Sequence, residues 1–356
     1  MKKILLLLII VVIFPVFTLV CSADDAVDRY ISDFGSALPD GFSDLSDVDM
    51  LIDRAEVGSL ISEIMTILSD ERGGILSFFL TLIGSVGLMT VASLCHDRLS
   101  STVEGVVGMI VSVLIFSSVS GLLGRVDSAI GEISSFFGSL IPIFVGVTAM
   151  GGGTSSAGVQ AAGMYTALSA VGGIGSGIFI SLSSFGLAMS LLSCFGSEGI
   201  GAVCKGLRGL FGWVSGIFTA LITAAFSLQT LVASSADSAA MRAVKYAASG
   251  LIPVVGSTVS GAISTLATGL SYARGIIGGG AIVVILYMAL APLVLLLAYR
   301  LCLSCAIIFA DFCGGSGSRI FTAYRFSIDM TVTLYALSTL IYLFEIIIIT
   351  MVGVNL

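Results

Sequence analysis

Long runs without charge are the feature that most constrains what this sequence can fold into. Residues 158–196 contain no Asp, Glu, Lys or Arg, and at ~1.5 Å of rise per residue a helix of that length exceeds what one membrane crossing needs. Of all residues 57% are hydrophobic and 10% are charged, whereas a soluble globular chain carries about 25% charged residues. The sequence therefore predicts a membrane protein and excludes an ordinary soluble enzyme or a disordered chain.

Apolar segments of about 20 residues, the length of one membrane crossing, recur along the chain after residue 72. Charged residues or glycine-rich turns separate them, and they comprise 75–95, 103–124, 133–150, 158–196, 207–233, 250–272, 276–299 continuing through 301–310, and 327–352. Segment 158–196 is either two short spans that turn near 172–177 or one span with a re-entrant piece. Pro292 is expected to kink the span that contains it. Because backbone polar groups find no water in hydrocarbon, we predict an all-α, polytopic transmembrane helical bundle with about seven spans, within a range of six to eight.

The N-terminus has the pattern of a secretory signal peptide. Two lysines precede an apolar run that ends at Cys21-Ser22-Ala23, so residues 1–23 are predicted to be the signal; the alternative is an uncleaved signal anchor. Residues 24–72 hold 13 of the 22 acidic residues, are predicted to lie outside the cytoplasm, and end in a pattern typical of an amphipathic helix. Residues 73–356 then form the polytopic membrane domain, embedded in the lipid bilayer.

Basic residues and histidine are too few for nucleic-acid binding, for a catalytic triad or for a histidine-based metal site. The net charge is −7, which offers no basic face to nucleic acid. His96 is the single histidine, so we expect no catalytic triad, no metal site and no cofactor, and we name no catalytic residue. Cys302 and Cys305 have the spacing of a redox pair, but in an apolar helix we interpret them as small packing residues.

Glu345 is the clearest candidate for a functional residue inside the membrane. A carboxylate several residues from either end of an apolar span is energetically unfavourable and is therefore a functional candidate by default. It either faces a polar path or pairs with a cation such as Arg300. The alternative is a structural hydrogen bond to a neighbouring helix, with the carboxyl protonated. Asp329 is expected near a helix end, at the membrane interface.

A polar stretch between two apolar segments is the second candidate. It is expected to form a broken or interfacial helix, which lines transport paths when buried, or else a plain surface connector. Its candidate functional or assembly residues are Gln229, Asp237, Arg242, Lys245, Pro253 and Gly256.

The same stretch resembles the stage III sporulation protein AE family. The resemblance rests on an ordered set of residues: Ser227 and Gln229, Asp237, Arg242 with Lys245-Tyr246, the turn Ile252-Pro253-Val254-Val255-Gly256, residues 88–99, and Ile141-Pro142 before the glycines at 151–153. It covers most of the chain after residue 70.

The resemblance implies a role that composition cannot show. Members of this family are encoded in an operon of endospore-forming bacteria and are placed in the mother-cell membrane around the forespore. The chain is then expected to be a non-enzymatic, multi-span component of a secretion-like channel complex linking mother cell and forespore. Its expected partners are other membrane proteins of the operon and a forespore membrane protein. The alternative is a stand-alone secondary transporter of a small solute, a class that should show internal repeats.

Overall fold

The computed structural model describes residues 32–39, 57–93, 100–150, 154–172, 180–192, 206, 209–217, 220, 224, 256–314 and 317–354. Over these residues the chain is helical and has no strand. The predicted signal peptide and the candidates Gln229, Asp237, Arg242, Lys245 and Pro253 lie outside the described residues.

Seven helices carry the architecture of the described part of the chain. They are α1 (Val57–Asp70), α2 (Arg72–Ser93), α3 (Ser100–Met150), α4 (Thr154–Ser169), α5 (Ile180–Leu192), α6 (Gly256–Phe312) and α7 (Ser318–Val354). Helix α1 lies in the second half of the predicted acidic segment and has one apolar face. Gly256, a predicted assembly residue, is the first residue of α6.

Four of these helices in the described ranges are long and apolar enough to cross a membrane: residues Arg72–Ser93, Val103–Met150, Gly275–Phe312 and Ser318–Thr350. The all-helical membrane architecture is therefore confirmed, whereas the count of seven spans is not. The segments predicted as separate spans at 103–124 and 133–150 belong to the single helix α3. Helix α6 likewise joins, from residue 256 onward, the segments predicted at 250–272, 276–299 and 301–310. It continues through Pro292.

Two short helices lie on either side of the turn predicted near 172–177, but neither is among the described helices long enough to cross a membrane, so the two predicted short spans are not confirmed. Helix α4 has 16 residues and α5 has 13, and residues 173–179 between them are outside the described part. At ~1.5 Å per residue they measure about 24 and 20 Å, so each is shorter than the hydrocarbon core of about 30 Å.

Helices α6 and α7 form an antiparallel hairpin. The turn contains Gly314 and Gly317 at φ values of 110° and 95°, in the left-handed region where glycine is favoured. Near the turn Arg300 is paired with Asp329, and far from it Gly278 packs against Thr350. The two helices therefore stay in register over most of the length of α7.

Helix α3 packs against both this hairpin and α2, and α2 also contacts α6 directly. Two hydrogen bonds join α3 to α7: one between Ser112 and Tyr324, and one, further along both helices, between Ser134 and Tyr342. The two helices therefore run parallel. Helix α2 precedes α3 as its antiparallel neighbour and stacks Phe78 on Tyr299 of α6, with ring centroids 4.4 Å apart. The fully buried core is mainly apolar and includes Leu82, Ile115, Leu140, Leu296 and Ile346.

The outer faces carry large apolar side chains in helical register. On α6 the exposed set is Leu286, Leu297, Leu301, Ile308, Phe309 and Phe312, and on α2 it is Leu76, Leu80, Leu88 and Val91. Such stripes are typical of surfaces that contact lipid. In lipid, helix association depends on close packing and interhelical hydrogen bonds, because the tails are as apolar as the helix surface.

Candidate functional site

A row of buried polar side chains runs along one face of α7 and ends at Glu345. The intervals between its members are three or four residues, the spacing that keeps side chains on one helical face. None of the seven is more than 4% exposed: Tyr324, Ser327, Thr331, Tyr335, Ser338, Tyr342 and Glu345. We call this set the polar row.

The polar row is as long as a bilayer core is thick. From Tyr324 to Glu345 the helix advances 21 residues, which at ~1.5 Å per residue is about 32 Å, against about 30 Å of hydrocarbon. Polar groups inside a membrane bundle are unfavourable unless they find partners, so a set that extends over this distance requires a structural or a functional explanation.

Helix α3 supplies two of these partners. The Tyr324 hydroxyl donates to the backbone carbonyl of Ser112 at 2.7 Å and lies 2.9 Å from the Ser112 hydroxyl, which donates in return. At the other end of the row Ser134 donates to the carbonyl of Ile130 at 2.7 Å. Tyr342 then donates to the Ser134 oxygen, 2.8 Å away. The two tyrosines thus fix α7 against α3 at both ends of the row.

We expect Tyr324→Phe and Tyr342→Phe each to destabilise the folded protein by about 1 kcal/mol, because each removes an interhelical hydrogen bond and leaves the ring in place. The midpoint of unfolding in mixed detergent and dodecyl sulfate micelles measures this loss. Tyr165→Phe is the matched control, since Tyr165 on α4 is 58% exposed. An equal effect of all three substitutions would contradict the assignment.

Buried hydroxyls without a hydrogen-bond partner among the described residues lie in and beside the middle of the polar row. Ser327 donates to the backbone carbonyl of Ser183 on α5 at 3.4 Å, and Thr331 donates to the carbonyl of Ser327 at 3.0 Å. Among the described residues, the Tyr335 hydroxyl and the Ser183 hydroxyl are buried without a hydrogen-bond partner. A buried hydroxyl of this kind is unfavourable, and an ordered water molecule is one way to satisfy it.

Arg300 is paired with Asp329, not with Glu345, which corrects one of the predicted roles of Glu345. The guanidinium Nε of Arg300 donates to Oδ1 of Asp329 across the α6–α7 hairpin. The expectation that Asp329 lies near a helix end is also wrong. Helix α7 begins at Ser318, because residues 318–326 continue the helix ahead of the apolar segment, so Asp329 is three turns inside.

A second ion pair marks the start of α2. Nη1 of Arg125, in the middle of α3, lies 2.8 Å from Oε1 of Glu71, and the two side chains are 61% and 36% exposed. An open cavity of about 160 Å³ adjoins Arg125; it is lined by Ser117, Ser118, Gly121, Leu122, Arg125, Leu295 and Tyr299. Arg125, which separates the apolar segments 103–124 and 133–150 in the sequence, is therefore held on the surface of a continuous helix.

The cysteine pair and possible metal ligands can be placed as well. Cys302 and Cys305 are free thiols on α6, the first buried and the second half-buried. Within the described ranges no group of three or more His, Cys, Asp or Glu side chains could hold a metal ion.

Sequence reasoning identified Glu345 but missed the rest of the polar row. The signal was present, because Tyr, Ser and Thr recur every three or four positions from 324 to 342. It was missed because these residues are tolerated on any face of a membrane helix, and hydropathy alone does not show which face is buried.

The family comparison decides what kind of protein this is. The model of stage III sporulation protein AE matches residues 57–355, nearly the whole chain. The chain belongs to the stage III sporulation protein AE family. A search of curated proteins and a search of solved structures found no match. Family membership and the apolar helices together make this a membrane protein of sporulation, in a family that is not known as an enzyme family.

Proposed function

We propose that this protein is a non-enzymatic, multi-span component of a secretion-like channel complex linking mother cell and forespore, needed for forespore development after engulfment. The observation that carries the proposal is the family match over residues 57–355. The apolar outer faces of α2 and α6 support it, because they suit a protein that is surrounded by lipid. The proposed location is the mother-cell membrane that surrounds the forespore.

The finer topology belongs to the same proposal. A cleaved signal peptide at 1–23 would place residues 24–72 outside the cytoplasm, with the amphipathic helix α1 leading into the first crossing at α2. About seven crossings remain the proposed total, and residues 218–255, most of which lie outside the described part, would supply some of them.

Deletion of the gene in the spore-forming host tests this function. Engulfment should finish, and the forespore should then fail to develop and to express its late genes, as seen by membrane-dye and reporter fluorescence microscopy. Co-purification should recover other membrane proteins of the same operon. Normal heat-resistant spores from the deletion strain, or purification of the protein alone, would contradict the proposal.

A further inference from the structure

The hydroxyls and the carboxylate of the polar row form a continuous series inside the bundle. Successive members are three or four residues apart on one face of α7, a spacing that one or two water molecules can bridge. The buried hydroxyls of Tyr335 and Ser183, which have no partner among the described residues, are where such water is most needed.

We propose that the polar row is a hydrated proton path through the membrane bundle, with Glu345 as its proton-accepting group at one end. Hydroxyl groups and water pass a proton by exchanging hydrogen bonds for covalent O–H bonds, so each member gives up one proton as it receives another. Rows of carboxylate and hydroxyl groups in membrane helices serve as proton relays for this reason.

A purely structural role explains less of the same geometry. Tyr324 and Tyr342 are accounted for by their bonds to α3, and Thr331 by its bond to the backbone of its own helix. The buried Tyr335 hydroxyl, which has no hydrogen-bond partner among the described residues, is not accounted for in this way, because an apolar residue of similar size would pack there without a desolvation penalty.

Access of water to the row is the first test. In a variant with all native cysteines replaced, Thr331→Cys and Ser338→Cys are exposed to a small methanethiosulfonate cation, in membranes of the sporulating host where any partners are present. The cysteine thiolate attacks the sulfenyl sulfur of the reagent, forms a disulfide and releases methanesulfinate, and the thiolate forms only where water reaches the sulfur. The matched controls are Phe326→Cys and Met330→Cys, buried positions of α7 that lie about 140° and about 100° around the helix from the polar row.

We expect labelling at Thr331→Cys and Ser338→Cys to be at least about tenfold faster than at the two controls. Equal and slow labelling at all four positions would show a dry row and overturn the proposal. Fast labelling at all four would show general loosening of α7 and would overturn it too.

Proton movement is the second test. Liposomes are loaded with a pH-sensitive dye and contain the protein purified together with the partners that it retains. A proton gradient should then dissipate faster than in protein-free liposomes. Glu345→Gln should slow this flux at least about fivefold, and Glu345→Asp should restore much of it because it keeps a carboxyl group. Phe344→Leu, at an exposed neighbouring position, is the control and should leave the flux unchanged.

Two results would refute proton transport. One is a flux no faster than in protein-free liposomes, and the other is a Glu345→Gln flux equal to that of the unchanged protein. Neither result bears on the role in the sporulation complex, which rests on the deletion and co-purification experiments.

Discussion

Replacing Gly278 by alanine is expected to destabilise the α6–α7 hairpin by about 2 kcal/mol, because the added methyl group overpacks a closed contact. A Cβ atom at this position would overlap the side-chain methyl group of Thr350 and would lie 3.8 Å from Cγ2 of Ile346. The Thr350 hydroxyl donates to the carbonyl of Ile346 at 3.0 Å, which limits its rotation away from the contact. The midpoint of thermal aggregation in detergent measures the loss.

Two further variants make the Gly278 prediction specific. Thr350→Ser removes only the methyl group, so Gly278→Ala combined with Thr350→Ser should recover most of the lost stability. Gly279→Ala is the matched control, since in the described structure nothing lies within 4 Å of a Cβ at Gly279, and alanine is the better helix former. A double variant as unstable as Gly278→Ala alone would contradict the proposed overlap.

Breaking the Arg300–Asp329 ion pair is expected to destabilise the protein by about 2 kcal/mol, although the two side chains are 42% and 29% exposed. In water a pair with this exposure would contribute little. Arg300, however, lies 12 residues before Phe312, the last residue of α6, which is about 18 Å along the helix, and its neighbour Leu301 is 65% exposed on the apolar outer face. An unpaired charge beside this apolar outer face is unfavourable.

Charge exchange distinguishes pairing from packing at this site. Arg300→Gln and Asp329→Asn should each lower the amount of folded protein in membranes, measured by fluorescence-detected size-exclusion chromatography. The exchange variant Arg300→Asp with Asp329→Arg should recover part of it. Glu71→Gln is the control, because the Arg125–Glu71 pair lies at the start of α2 with its side chains more exposed, and it should change little. If Arg300→Gln and Asp329→Asn changed the amount of folded protein no more than Glu71→Gln does, Arg300 would lie in water, and the prediction would be wrong.

The helical membrane architecture could be predicted because hydrocarbon permits few other backbone structures. Long apolar segments and the need to satisfy backbone hydrogen bonds internally predict membrane helices before any packing is known. The family resemblance could be predicted as well, from an ordered set of residues rather than from any single motif, and the match over 57–355 confirms it.

Helix continuity could not be predicted in the same way. Arg125 and Asp127 were interpreted as the end of one span, yet both are compatible with helical backbone, and α3 continues through them with Arg125 paired to Glu71. The position of Asp329 was misjudged for a related reason, since residues 318–326 are mixed in polarity but helical. Charge along the sequence indicates where a helix leaves hydrocarbon, not where it ends.

Glu345 could be identified from its isolation in an apolar run, but its surroundings could not. Burial in a membrane bundle is nearly independent of hydropathy, because lipid-facing and core-facing positions are both apolar. Phe344 and Ile346 are both large apolar residues next to Glu345 in the sequence, yet Phe344 is 53% exposed whereas Ile346 is fully buried. Only the packing of α3 and α5 against α7 reveals which side chains share the interior with Glu345.

The length of α3 has a consequence for imaging the particle. Its 51 residues measure about 77 Å, whereas a helix tilted by as much as 40° keeps only about 39 Å of its length within a 30 Å slab. Helix α7, which runs parallel to α3, and helix α6, which runs antiparallel to α7, pack against α3 and also exceed that limit, at about 55 and 85 Å. In an electron micrograph of the purified protein, the detergent belt should therefore surround only part of the particle's height, and the remainder should stand clear of it as a rod of bundled helices.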